Sequence, residues 1–326
     1  MADPVPLPPR EEQDRRIAVS LVRQLGEFAR FVGAPGVTDL MLNPDGCVWV
    51  HTVGRGKEMV GRMAAGAAEA FIGTVASTVR GAVTRENPIL ECELPAEPPF
   101  NGARIEALIR PMVAAPSFAI RFKATVIYTL DDYVRDAIMT AAQSAVLRDA
   151  AERRLNVLVS GGTGAGKSTL LNAVIHCMTA VSPSHRFCVM EDATELQCAA
   201  PDAVVMRTSD TVGLQRLLKA AMRLAPDRII VGEVRGGEAL ALLKAWNTGH
   251  DGGASTVHAN GARAALARIE QLIQEVSLAP QREQIAEAVN LVVHVAKVAD
   301  APGRRVTEIV AVRGYADGRY QFETVG

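Results

Sequence analysis

Residues 155–175 read LNVLVSGGTGAGKSTLLNAVI, and the centre of this stretch has the residue types and spacing that hold a polyphosphate. Gly161-Gly162-Thr163-Gly164-Ala165-Gly166-Lys167-Ser168 fits GxxxxGK[ST]. It lies between an apolar run and an amphipathic one, the strand–loop–helix setting that the pattern requires. Glycines let successive amide N–H groups curl around phosphate oxygens with no Cβ in the way. The helix that follows adds the positive end of its dipole. Lys167 is placed to reach the β- and γ-phosphates, and the Ser168 hydroxyl, with Thr169 beside it, to ligate Mg2+. The expected ligand is a nucleotide with Mg2+.

Three further stretches supply carboxylates and imidazoles. In RIIVGEVRGGEA the apolar strand Arg228–Val231 carries Glu233 to its C-terminal end, the edge at which open α/β sheets bind ligands. A carboxylate there orients water or helps to hold the metal. RFCVMEDATELQ repeats the arrangement with Glu191, Asp192 and Glu195, so Glu191 and Glu233 both stand as candidates for activating water. In GHDGGASTVHAN, His250 and His258 bracket a glycine pair. No third ligand has the spacing of a metal site, so the two histidines read as sensors of the γ-phosphate.

The elements that must position these groups are legible around them. Residues 1–10 read as a disordered tail, and 11–122 as an N-terminal α+β domain. A helical pattern runs from Ile17 to Phe31, and VTDLMLNPDGCVWVHTVG reads as a hairpin turning at Asn43-Pro44-Asp45-Gly46. An alanine-rich helix spans Ala64 to Val79, and strands lie near 103–110 and 117–122. KATVIYTLDDYV, residues 123–134, reads as a linker, with a helix around 135–150 after it. Across 135–326 short apolar strands alternate with amphipathic helices, the pattern of a mostly parallel sheet covered on both faces. At the end LVVHVAKV, VTEIVAVRG and RYQFETV read as three antiparallel edge strands.

Composition bounds the function. With 326 residues the chain has room for two domains, and 48% apolar with 22% charged residues is a globular balance. A net charge of -1 provides no bulk field for nucleic acid, and no sequence-specific nucleic-acid binding is expected. Five scattered cysteines without CxxC spacing read as reduced thiols. MADPVPLPPREEQDRR lacks the apolar stretch of a signal peptide, and no segment approaches the ~18 apolar residues of a membrane span. A cytoplasmic protein without a transmembrane segment is expected.

GGTGAGKST, MEDATEL, PDRIIVGEVRGGEA and TGHDGGASTVHA stand in the order of the Walker A, Asp box, Walker B and His box of the type II/type IV secretion (traffic) ATPases, and the chain resembles that family from about residue 15 to 320. Its length and compact N-terminal half are most similar to the conjugal-transfer, TrbB-type branch. The resemblance implies a small N-terminal domain joined to a RecA-like ATPase domain, with six copies in a ring. It further implies ATP and Mg2+ as ligands, inner-membrane components of a secretion or conjugation complex as partners, and a place on the cytoplasmic side of that membrane. By motif, Glu233 is the Walker B glutamate, Glu191 the acid of the Asp box, and His250 and His258 the His-box pair. Arg104 and Arg121 match N-domain arginines that reach towards the γ-phosphate, while Arg207, Arg223 and Arg235 are weaker candidates for contacts across subunits. An arginine there stabilises charge on the γ-phosphoryl oxygens by ~10³ or more. Two other functions remain open on sequence: a RecA-like nucleic-acid motor, and a nucleotide-gated scaffold with little turnover.

Overall fold

The computed structural model describes residues 10–52, 55–79, 81–123, 127–209 and 211–326. Residues 1–9 of the expected tail, and residues 124–126 of the expected linker, lie outside them. The chain divides into two compact units, Met1–Thr125 and Val126–Gly326.

The first unit opens with α1 (Arg10–Leu25), which passes into a 3-10 turn at Gly26–Phe31. The single helical run expected to reach Phe31 is therefore broken at Gly26, whose φ of 57° is cheap only for glycine. Then come β1 (Val37–Leu42), β2 (Cys47–Thr52), β3 (Gly56–Arg62), α2 (Ala65–Thr78), β4 (Ile89–Glu93), β5 (Arg104–Leu108) and β6 (Ser117–Arg121). They form one antiparallel sheet in the order β3-β2-β1-β6-β5-β4. The Asn43–Gly46 turn closes as its sequence dictates: Gly46 N–H donates to the Asn43 carbonyl at 2.9 Å, and Cys47 N–H to the Asp45 carboxylate at 2.8 Å. Alternate residues of the strands, among them Leu40, Val50, Ile105 and Ile120, bury against Leu21 of α1 and Phe71 of α2. The opposite face carries the paired positions Asp39, Arg121 and Arg104.

The second unit begins inside the expected linker. There α3 (Leu130–Arg135) starts on a Thr129–Asp132 capping box, and Leu130 and Tyr133 are buried in its core. The helix expected around 135–150 is α4 (Ala141–Glu152), held back to residue 141 by a second capping box at Thr140 and Gln143. Next are β7 (Val157–Gly161), α5 (Lys167–Val181), β8 (Phe187–Glu191), β9 (Ala203–Arg207), α6 (Leu214–Ala221) and β10 (Arg228–Val231). The chain ends with α7 (Glu238–Trp246), β11 (Ala254–His258), α8 (Ala262–Gln274), α9 (Arg282–Ala288), β12 (Leu291–Lys297), β13 (Arg304–Ala316) and β14 (Arg319–Thr324). Sheet order is β14-β13-β12-β7-β11-β10-β8-β9. The six strands from β12 to β9 are parallel, and β13 and β14 extend them antiparallel. This corrects the expectation of three antiparallel edge strands: β12 is interior and pairs with β7 in parallel.

Both faces of the sheet are covered. Val157, Val159 and Val293 pack with Leu147 of α4 and Leu171 of α5, whereas Leu158 and Val292 turn to Leu243 of α7 and Leu266 of α8. Asn156 sets the register at the N-terminal edge. Its Nδ2 donates to the Ala288 carbonyl and its Oδ1 accepts from Gly253 N–H, both at 2.8 Å, which ties the entries of β7, β11 and β12 together. On the same edge the buried Arg228 donates to the carbonyls of Gly252 (2.9 Å) and Ala151 (2.8 Å) and to Ser182 Oγ (3.1 Å). Among the described residues no helix is long and apolar enough to cross a membrane.

Candidate functional site

Strand β7 is buried at every position and delivers Gly161 to the C-terminal edge of the sheet. A Cβ on Gly161 would stand 2.4 Å from the Val295 carbonyl of the neighbouring β12, so only glycine fits. Gly166 caps α5 with φ at 97°, a left-handed conformation that again favours glycine. The first α5 bond runs from Leu170 N–H to the Gly166 carbonyl at 2.9 Å. The amides of Lys167, Ser168 and Thr169 precede it and face the loop as helix N-terminal donors.

Lys167 is almost wholly buried and leans towards β10 and β11. Its Nζ donates to the Gly162 carbonyl at 3.3 Å, stands 3.2–3.3 Å from both His258 ring nitrogens, and lies 4.0 Å from Glu233 Oε1. Burial lowers the Lys167 ammonium below its ordinary range, and the Glu233 charge opposes that shift. Glu233 Oε1 is also 2.8 Å from His258 Nε2, a close contact without aligned hydrogen-bond geometry. Burial holds the His258 imidazole below its usual range, against the pull of Glu233. The other Glu233 oxygen accepts from Arg235 Nε at 2.7 Å, so Arg235 is engaged within its own chain. Lys167, His258 and Glu233 are thus one cluster built from α5, β11 and the turn after β10.

The Asp-box loop reaches the start of α5 from the other side. Ser168 Oγ donates to Glu195 Oε2 at 2.6 Å. One helical turn later, Asn172 donates to the Glu195 carbonyl and accepts from Gln197 N–H, both at 2.9 Å. Glu191, buried at the end of β8, accepts from the amides of Glu195 and Leu196 at 2.8 Å through one oxygen. Its other oxygen is buried without a hydrogen-bond partner. Burial pushes the Glu191 carboxyl up, and the two amide bonds pull it part of the way back. The Asn172 brace was not singled out in the sequence; its place four residues after Ser168, on the same helical face, is the signal that finds it. A cavity of about 460 Å³ opens beside the loop, lined by Gly162, Thr163, His258, Asn260, Arg268 and Gln271.

Not every expected residue joins this cluster. His250 precedes β11 and so stands at the opposite edge of the sheet, with Nδ1 3.3 Å from the Ala245 carbonyl of α7. Ala254–Val257 of β11 lie between it and His258, which ends that strand, so within one chain the two histidines expected to sense the γ-phosphate do not stand together. In the first unit, Arg104 and Arg121 are cross-strand neighbours. Arg104 pairs with Glu91 at 2.9 Å and Arg121 with Asp39 at 3.1 Å.

The donors fit a nucleotide with Mg2+. Free amides at a helix N-terminus and a lysine beside them match phosphate oxygens. The Ser168 hydroxyl and Glu195 carboxylate are hard oxygen groups of the kind that would ligate Mg2+.

The chain is 50% identical over 288 residues to the probable conjugal transfer protein TrbB of Sinorhizobium fredii, covering 88% of this chain and 87% of that one. It is 47% identical over 287 residues to the conjugal transfer protein TrbB of Rhizobium radiobacter, with the same coverage of 88% and 87%. The crystal structure of the Legionella pneumophila ATPase DotB superposes with a TM-score of 0.62 at 18% identity, covering 95% of this chain and 83% of that one, and shares the fold. Residues 55–316 match the family described as Type II/IV secretion system protein, and the chain belongs to that family.

Proposed function

We propose that the protein is an ATP-hydrolysing motor for type IV secretion or conjugative transfer. In this reading it works as a ring of six on the cytoplasmic face of the inner membrane, attached to components of the transfer complex there. The observation that carries the chemistry is the convergence of Lys167, His258 and Glu233 at the N-terminus of α5.

The loop amides and Lys167 hold the polyphosphate of ATP. Glu233 takes the proton of a water that attacks the γ-phosphorus, the bond to the β-phosphate oxygen breaks, and ADP and phosphate leave. Glu233 is assigned this role rather than Glu191 because Glu233 Oε1 lies 4.0 Å from Lys167 Nζ and 2.8 Å from His258 Nε2, whereas Glu191 is tied into its own loop by the amides of Glu195 and Leu196. Glu191 instead shapes the loop that sets Glu195 on Ser168. Ser168 and Glu195, whose side chains meet at 2.6 Å, would hold Mg2+, which would supply charge neutralisation for the phosphates when bound. His258 contacts Lys167 and Glu233 together, so it senses whether the lysine is engaged by phosphate. Arg104 and Arg121 are the proposed arginines that stabilise charge on the γ-phosphoryl group.

Steady-state phosphate release by the wild type and Lys167→Ala tests the site. Release is expected from the wild type alone, and equal release by both overturns the reading. A particle mass that stays monomeric with ATP and Mg2+ overturns the ring.

A further inference from the structure

The sheet order sets β12 and β11 on opposite sides of β7, so the phosphate loop has two flanks. The β11 flank carries Lys167, His258 and Glu233. The β12 flank carries two cations from the ends of β12 and β13. A Cβ on Gly164 would stand 3.0 Å from Lys297 Nζ, and one on Gly166 would stand 2.9 Å from Arg304 Nη1. Both side chains therefore lie directly against the loop backbone. Neither has a carboxylate partner among the described residues, although their hairpin carries an acid, Asp300. The three glutamates of the site lie on the other flank: Glu191 ends β8, Glu195 lies in the loop after it, and Glu233 follows β10.

This distribution gives the loop a direction. The terminal phosphate belongs at the end where Lys167 and the water-activating carboxylate meet. A phosphate chain lying along the loop from that end has its nucleoside end towards β12. We infer that Lys297 and Arg304 form a second cationic flank that binds the α-phosphate of the nucleotide. Ammonium and guanidinium groups make charge-assisted hydrogen bonds to phosphate oxygens, and here they sit on flexible stems with no anion to release first. The inference rests on the ATP-binding reading above. It adds a role in affinity, for a group common to ATP and ADP, from residues more than a hundred positions away from the loop.

The test measures Mg2+-dependent binding of ATP and of ADP, with KM and kcat, for Lys297→Gln and Arg304→Gln. These variants keep most of the side-chain stem and remove the charge. Each is expected to weaken ATP and ADP alike by about tenfold. KM should rise by the same factor, with a far smaller change in kcat and unchanged thermal unfolding. Lys297→Arg should recover most of the affinity, and the salt dependence of binding should flatten in both Gln variants. Unchanged affinity for both nucleotides overturns the inference, as does a loss confined to ATP, which moves these cations to the γ-phosphate. If Lys167→Ala hydrolyses ATP as the wild type does, it is the site reading that fails.

Discussion

In the sheet of Met1–Thr125, Arg104 and Arg121 lie in register on one open face, each beside its own carboxylate. In the sheet of Val126–Gly326, β7 and β8 are buried throughout, and Glu191, Lys167 and Glu233 occur only where strands end or just beyond. An antiparallel sheet with one solvated face can carry ionised side chains along its strands, whereas a parallel sheet sandwiched between helices can carry them only at its edges. Crowding at that edge has electrostatic consequences. Burial drives the Lys167 ammonium down and the Glu191 carboxyl up. Charges of the first sheet should therefore be separable from the fold, and those of the second should not.

The largest departure is expected at Glu233. Glu233→Gln should lower phosphate release by about 10²–10⁴ and keep nucleotide binding, measured side by side on one preparation. Loss of binding in equal measure would show that the carboxylate holds ligand rather than moving a proton. Next in size is Arg228, whose guanidinium burial brings its pKa down to about 10. Arg228→Leu removes the donor that the Gly252 carbonyl has and leaves the Ala151 carbonyl only the 3.4 Å bond from Arg154 N–H, and urea unfolding should report a loss of about 3 kcal/mol.

A smaller effect follows from acid. Burial holds His185, His258 and His294 below the ordinary histidine value of 6.5. Below pH 6.5 the unfolded chain binds protons that the native chain refuses, so stability falls as pH falls. Glu191, raised from 4.5, works in the opposite sense, one group against three. Melting temperature should therefore drop between about pH 7.5 and 5.5, and less steeply in His294→Asn. The smallest effect on stability is expected at Arg121, whose guanidinium is exposed in its ion pair. Arg121→Ala should shift unfolding by less than about 1 kcal/mol while lowering ATP hydrolysis. A large loss of stability there would break the contrast between the two sheets.

The phosphate loop was legible because its chemistry is local. One strand, one run of glycines and one helix start lie within the stretch from Val157 to Val181. The Thr140 capping box was equally local, yet the apolar pattern around 135–150 hid where the helix starts. Strands β3 and β4 escaped notice because edge strands bury little; β3 has no fully buried residue, so it carries no alternation. The position of β12 was also beyond the pattern. LVVHV records that the strand is buried on both faces, which fits an interior strand, but periodicity does not name its neighbours. The same limit hid Lys297 and Arg304, since nothing near residue 300 signals proximity to residue 164. The histidine pair misled for a geometric reason: eight residues are a short distance along the chain, yet with a strand between them they place two side chains at opposite ends of a sheet.

The seat that β12 gives to the phosphate loop also bears on how the protein is made. Ser160 and His294, whose side chains meet at 2.9 Å, are 134 residues apart, and β7 is flanked on both sides by strands synthesised long after it. Such pairings close slowly and leave an apolar strand edge waiting for its neighbours. Hence the loop takes its final shape only after β12, more than a hundred residues further along the chain, has left the ribosome. A truncated or stalled product that already carries GGTGAGKST would have no formed site with which to sequester nucleotide.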